Sequence, residues 1–458
     1  MSSLKLPNEL IDLIIDHLHN DKPMLEICAL VCRGWVAPSR FHLFRRISVL
    51  PDGVGEFTSL CDSPFSTIPR ANTHSLVFCP GVNNPALNRL LTWRSVDGQK
   101  TLAAILSQLR TLELSYVGWW TLSAPAKKIL AQFQSLRELT AFYVVFETRD
   151  QFFTLLGAFP NLEILTLSDC SFQCQEAATN PGDPNLNAAL PPRLHTIRMR
   201  GLGHRGVAVV DAIALLPCHS LRAFDFSVSY FPSADLAYGA AAAIGKLVAS
   251  AGQSLEAFSA EVKDRFNLSD GTDLYGCFEL IDLTKNTSLQ RIGLHIKDNR
   301  RVLPFLGQLA DATISSKFFI PTLQSLKIED LPTLLINWDA LDVLLQHPYF
   351  SALSELKYSV TAPVFKEDVR GQPLSSFTGV PNWGSNAHKT MLKNIEDFGA
   401  QLPLCRARGI LRPRESYSWQ GGRIDRANWD QVTSDDGDDM EGVSDANNAN
   451  EADSALSA

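Results

Sequence analysis

Long apolar runs are missing from this chain, and so is any excess of basic residues. No stretch reaches the roughly 18 uncharged apolar residues that a membrane-spanning helix needs. Asp211 and Lys246 interrupt the best candidates, so no membrane span is expected. The opening MSSLKLPNEL has no basic region ahead of an apolar run, so no secretory leader is expected. Phosphate-loop, G-x-S-x-G and H-E-x-x-H patterns are all absent, which removes three frequent signatures of enzymes. The nine cysteines are odd in number and scattered through apolar segments. That suits free thiols in a reducing compartment, the cytoplasm or the nucleus, better than a disulfide framework.

What is present is ordinary for a globular protein: 45% apolar and 20% charged residues over 458 positions. That length allows more than one domain. The net charge of −8 is unevenly spread. From Trp429 onward there are nine acids and no Lys or Arg, so the rest of the chain is near neutral. Charge therefore gives no reason to expect a nucleic acid or a membrane as partner. The same end, residues 433–458, combines acids with Asn, Ala, Ser and Gly, and is expected to be disordered.

The densest local signal lies in LPNELIDLIIDHLHNDKPMLEICALVCRGWVAPSRFHLF. It predicts three short helices. The first runs over about Asn8 to Leu18, started by Pro7 and Asn8, with Leu10, Ile11, Ile14, Ile15 and Leu18 as an apolar stripe. Pro23 is expected to open the second, with Met24, Ile27, Cys28, Val31 and Cys32 on its face. Trp35 follows, and Pro38 is expected to open the third. Three helices of this size cannot hide so many large apolar side chains. The surplus meets another protein or packs on the rest of the chain, and periodicity alone leaves both readings open.

This stretch resembles an F-box, in the form common among basidiomycete fungi. The matching residues are Leu6-Pro7, Glu9-Leu10, the Ile14/Ile15/Leu18 run, Leu25, Cys28 to Arg33, Trp35, Ser39-Arg40 and Leu43-Phe44. The resemblance implies docking to a Skp-family adaptor, and through it to a cullin–RING ubiquitin ligase. By position it implies adaptor contacts at Leu6, Pro7, Leu10, Ile14, Leu25, Val31 and Trp35.

Farther on, a Leu-x-x-Leu-x-Leu pattern with apolar substitutions recurs at Leu109, Leu136, Leu162, Leu194, Leu221, Leu255, Leu289, Leu323 and Leu353. The intervals are 27, 26, 32, 27, 34, 34, 34 and 30 residues. Each copy predicts a short strand with alternate residues buried. Segments of helical periodicity lie between copies, such as GVAVVDAIALL, ADLAYGAAAAIGKLVASAG and NWDALDVLLQH. Strand plus helix at a recurring interval predicts a solenoid whose units bury their apolar edges on one another. The pattern resembles leucine-rich repeats, though longer and less regular than the tight 20–29-residue form. Ser or Asn precedes the first Leu of several copies, but the spacing carries the argument. A doubly wound α/β domain is the competing architecture.

The expected fold class is therefore α/β: an amino-terminal three-helix F-box, a leucine-rich-repeat-like solenoid and a disordered acidic tail. The expected boundaries are 1–48 for the helices, 49–108 for a linker and capping repeat, and 109–362 for the solenoid. A loop-and-helix extension over 363–432 and the tail over 433–458 complete it. Within the extension, 363–386 is expected to be loop and Lys389–Phe398 a helix.

Two constellations hint at chemistry. GLGHRG, Gly201 to Gly206, fits G-x-G-x-x-G with Asp225 beyond it, as a nucleotide-dependent enzyme would need. Its preceding strand alternates charged and apolar residues, unlike a central parallel strand, and falls on the repeat register. A tight strand-to-helix turn is the simpler account. Cys28/Cys32 and Cys170/Cys174 are spaced i, i+4, but zinc needs four convergent ligands. No cofactor, metal or catalytic residue is expected.

The sequence thus points to an adaptor without an active site. The repeats would hold an unknown protein target through outward strand residues, among them Glu113, Phe142, Arg198, Arg200, Asp225, Arg291 and His295. A scaffold that uses the F-box without promoting degradation is the alternative.

Overall fold

The computed structural model describes residues 7–68, 73–79, 85–173, 190–203, 205–230, 233–262, 279–296, 302–314, 320–329, 337–363, 386–419 and 422–425. The chain divides into two compact units, Met1–Val360 with Leu392–Arg414, and Thr361–Met391 with Glu415–Ala458.

The first unit begins with helices α1 (Asn8–His17), α2 (Lys22–Val31) and α3 (Arg33–Leu43). Asp21 caps α2, its carboxylate accepting the Met24 N–H at 3.0 Å, and Pro23 sits in the first turn where no N–H is needed. Pro38 does not open the third helix as expected. It lies inside α3, which starts at Arg33 and contains Trp35. A proline there lacks the N–H that would bond the Gly34 carbonyl. The helix starts earlier because Cys32 is extended and its carbonyl accepts the Trp35 N–H at 3.0 Å. The helices α1 and α3 are tied by His42 Nε2 and Asp16 Oδ1 at 2.8 Å.

Strands and helices then alternate: β1 (Arg46–Val49), α4 (Val54–Asp62), β2 (Ser75–Phe78), α5 (Ala86–Thr92), α6 (Leu102–Ile105), β3 (Thr111–Ser115) and α7 (Ala124–Leu130). Next come β4 (Glu138–Phe142), β5 (Val145–Phe146), α8 (Arg149–Gly157), β6 (Ile164–Ser168), β7 (Ser171–Phe172), β8 (Thr196–Gly203) and α9 (Val207–Ala214). The series continues with β9 (Ala223–Tyr230), α10 (Ala234–Ala251), β10 (Ala257–Val262), β11 (Arg291–Ile296), α11 (Val302–Ile314), β12 (Ser325–Glu329), α12 (Trp338–Leu344) and β13 (Glu355–Pro363).

The strands form one parallel sheet in the order β1-β2-β3-β4-β6-β8-β9-β10-β11-β12-β13, while β5 and β7 pair separately. Sheet order follows chain order without reversal. That removes the doubly wound alternative, whose strand order turns back at a switch point. The sheet starts at Arg46, so the expected boundary at residue 48 falls inside β1.

All three apolar positions of all nine copies are buried, none above 3% exposed. They stack in two rows by register, for example Leu112, Leu139, Leu165 and Ile197, beside Leu114, Ala141, Leu167 and Met199. Helices cover that side of the sheet: Phe258 of β10 stacks on Phe305 of α11 at 6.2 Å.

The residue before the first Leu is more than decoration. Ser135, Ser220, Ser254 and Thr322 each donate a hydroxyl to the carbonyl of Leu109, Leu194, Leu221 and Leu289, at 2.8 Å in every case. Asn161 does the same through its amide to Gln134 at 2.8 Å. Each bond ties one coil to the coil before it, where a buried carbonyl needs a donor.

After β13 come α13 (Asn386–Gln401), longer than the expected helix, and α14 (Pro403–Ala407). The buried Asp342 of α12 accepts the N–H groups of Leu404 and Cys405 at 2.7 and 2.9 Å. The Arg408 guanidinium donates to the carbonyls of Leu345, Phe350 and Leu353. These bonds fasten α14 over the last repeat. β14 (Leu411–Trp419), which belongs to the second unit only from Glu415 on, pairs antiparallel with β15 (Gly422–Asp425), Ser416 opposite Asp425. The expected loop 363–386 lies almost wholly, and the acidic tail entirely, outside the described residues.

Candidate protein-binding surfaces

Two surfaces stand out, one on the helices and one on the sheet. On the helices, Ile15, Leu25 and Cys28 are buried and form the local core. Exposed large apolar side chains remain on all three helices. On α1 they are Leu10, Leu13 and Ile14, on α2 Met24, Ile27, Leu30 and Val31, and on α3 Phe41. Leu30 is 87% exposed. The exposed sets on α1 and α2 keep helical spacing, so each helix presents a stripe and not scattered residues.

The residues singled out by sequence fall on both sides of these helices. Leu10, Ile14 and Val31 are on the exposed stripes, Pro7 is exposed, and Trp35 is half-buried in α3. Leu25 is a correction: it is fully buried and supports the face from behind. Leu6 lies outside the described residues. Leu13, Ile27 and Leu30 are more exposed than Leu10 or Ile14. Periodicity could not choose between the faces of α2, because both are apolar.

On the sheet, the side away from the helices carries the alternate strand residues. Register aligns Glu113, Thr140, Thr166, Arg198, Asp225, Ser259, Gly293, Lys327 and Lys357 in one row. Arg291 belongs to the row on one side, and Phe142, Arg200 and His295 to the row on the other. The residues expected to face outward therefore share a face, spread across seven neighbouring strands. Arg198 stands opposite Asp225. Arg46 reaches Glu113 at 3.8 Å.

The end of this face holds what the pattern search passed over. Tyr116, Tyr143, Asp169 and Gly201 follow β3, β4, β6 and the bulged β8 register at the same offset from the first Leu, and all have positive φ (54°, 50°, 49° and 61°). Glycine tolerates this conformation and aspartate visits it, but tyrosine rarely does. The Tyr116 and Tyr143 rings stack at 5.0 Å with 10° between planes, and Phe142 meets both edge-on at 5.4 and 4.6 Å. The neighbouring Asp169 carboxylate, followed by burial and by Tyr116, raises the Tyr143 hydroxyl pKa. The signal that could have found these residues was the Asp and Gly at the same offset in the next two repeats.

Two of the three glycines of GLGHRG, Gly201 and Gly206, are accounted for by packing. A Cβ on Gly201 would collide with the Asp169 carboxylate, and one on Gly206 would meet Leu202 Cδ1 at 2.8 Å. An acid occupies the approach to Gly201, and Asp225 belongs to the sheet face beside Arg198. That arrangement does not suit a pyrophosphate. Cys28 is buried and Cys32 exposed, so this i, i+4 pair does not converge; Cys174 lies outside the described residues. Among the described residues no group of three or more His, Cys, Asp or Glu could hold a metal, and no helix is long and apolar enough to cross a membrane. Burial pushes the thiols of Cys61, Cys170 and Cys405 up to about 12, making them poor nucleophiles.

No protein-family model matches the chain, and no curated protein matches it. Solved structures similar to it include an internalin from Listeria monocytogenes at 11% identity. That match covers 78% of this chain and 92% of the internalin, with a TM-score of 0.28. TLR13 in the TLR13-ssRNA13 complex is 14% identical over 65% of this chain and 47% of its own, with a TM-score of 0.24. An LRR protein from Leptospira interrogans is 14% identical over 60% and 81%, with a TM-score of 0.17. With scores this low, the repeat architecture rests on the strand register and the buried Leu-x-x-Leu-x-Leu rows of this chain.

Proposed function

We propose that this chain is the substrate-recognition adaptor of a Skp-cullin-F-box ubiquitin ligase, working in the cytoplasm or nucleus. The observation that carries the reading is the pair of exposed apolar stripes on α1 and α2, in the segment that resembles an F-box. Covering a side chain as exposed as Leu30 is worth about 1.5–3 kcal/mol, and a partner that covers the stripes gains that repeatedly. The chain's own repeats leave them uncovered in the described residues.

The sheet face would then hold a protein target and bring one of its lysines near the ubiquitin carried by the ligase. The chemistry belongs to the partner enzyme, and this chain contributes proximity. Its parallel sheet fixes outward residues at set spacing over many strands, which suits a broad contact with a polypeptide.

The test is capture of a purified Skp-family adaptor by the full chain. Ile27→Asp with Leu30→Asp should abolish capture and leave the thermal midpoint unchanged, because neither residue is buried. Undiminished capture by that variant would sink the assignment. For the sheet face, a photo-crosslinking residue at Ser259 should trap proteins that carry ubiquitin when the proteasome is blocked. Trapped proteins without ubiquitin would favour a non-degradative scaffold.

A further inference from the structure

We propose that the ring cluster of Tyr116, Phe142 and Tyr143 receives an arginine side chain of the protein held on the sheet face. The inference rests on the sheet-face reading above and gives it a chemistry.

Backbone strain is the first reason. Tyr116 and Tyr143 hold left-handed backbones, a conformation that such residues adopt only at a cost. The next two repeats use Asp169 and Gly201 at the same offset, residue types that bear this conformation more easily. Hydrogen bonds from the Tyr116 and Tyr143 N–H groups to the Phe142 and Ser168 carbonyls, at 2.7 and 2.8 Å, hold the bend, yet the two residues stay 40% and 43% exposed. Their rings serve the surface and not the core.

Ring geometry is the second. Two tyrosines stacked face to face, each met edge-on by a half-buried Phe142, make a rigid aromatic stack whose outer ring offers a flat face. A guanidinium stacks flat on such a surface and still points its N–H groups outward in the plane. An ammonium cannot match that plane.

Charge is the third. The outward positions of β3, β4 and β6 include Glu113 and Glu138 and no Lys or Arg. Asp169 adds a carboxylate one repeat beyond Tyr143 and lies close enough to hold the tyrosine hydroxyl protonated to higher pH. Arg46, more than half exposed, reaches Glu113 at 3.8 Å, a contact that an incoming guanidinium can displace. Beyond β6 the nearest outward bases, Arg198 and Arg200, stand on the next strand, opposite Thr166 and Ser168.

The test is selection of a phage-displayed library of random 12-residue peptides on the full-length chain. Enriched peptides should carry arginine at one fixed position. Replacing that arginine by citrulline, its neutral isostere, should weaken binding at least tenfold. Tyr116→Gly with Tyr143→Gly should weaken it by a similar factor, while the thermal midpoint holds or rises because glycine relieves the strain. If the midpoint falls, the milder Tyr116→Asn and Tyr143→Asn pair decides, with the same tenfold loss expected. Enriched peptides that lack a fixed arginine, or bind the ring variants as well as the parent, overturn the inference. So does a library that yields no enrichment, or oligouridine binding at the rings in place of peptide. If such ring-indifferent peptides lose binding to Arg198→Glu with Asp225→Lys, the sheet-face reading survives alone. Indifference to that pair as well removes both.

Discussion

The three amino-terminal helices and the repeats that follow use the same apolar residues to opposite effect. In the repeats, twenty-seven pattern positions are at most 3% exposed. In the helices, eight large apolar residues between Leu10 and Phe41 stay exposed, against a local core of Ile15, Leu25 and Cys28. One region buries its pattern residues strand by strand, although Phe65, Val96 and Ile320 outside the pattern stay exposed. The other keeps an excess of large apolar side chains on its surface among the described residues.

The comparison breaks or sharpens under substitution. Leu139→Ala, in the middle of a buried row, should cost about 2–5 kcal/mol by equilibrium unfolding, since it opens a cavity among neighbours that cannot collapse. Asp342→Ala should cost about 1–3 kcal/mol for each N–H of α14 left without its acceptor, read the same way. Asp342→Asn keeps one acceptor and should cost less. Leu30→Gln should change stability by no more than about 0.5 kcal/mol, as an exposed helical position does. A loss at Leu30 as large as that at Leu139 would erase the distinction between the two regions.

The buried thiols of the repeats add a pH dependence. Cys170 rises from its ordinary value of 9.0 to about 12 through burial. The fold favours the protonated thiol, so its contribution is complete below pH 9 and fades as pH climbs toward 12. Thermal midpoints should therefore fall above pH 9. Cys170→Ala should show a shallower fall than the parent, and equal slopes would show that the thiol is not the group responsible.

Much of the fold was legible because the repeats write their register directly into the spacing of Leu109, Leu136, Leu162 and the later copies. The helices between them followed from period alone, as at α9, α10 and α12. Strand β1 was hidden because Arg46–Val49 is four residues long and abuts the helices. Pro38 misled because a proline reads as a start, whereas the extended Cys32 starts the helix earlier. Leu25 misled because α2 is apolar on both faces, so only packing against α3 decides which face turns inward. The tyrosine pair escaped because no periodicity announces a left-handed residue; only its type and offset do. Fastening of α14 by Asp342 spans 62 and 63 residues and leaves no local trace.

The hydroxyl and amide bonds that tie successive coils have a consequence for how this chain can vary in length. They pin the corner just before five of the strands, so the uneven intervals of 26 to 34 residues fall between one strand's end and the next corner. Extra residues grafted between a strand's end and the next corner would lengthen a coil and leave its neighbours in step. A single residue grafted between Ser254 and Val262 would instead turn every alternate side chain of that strand inside out. Length can therefore change between a strand's end and the next corner, and not within the strand.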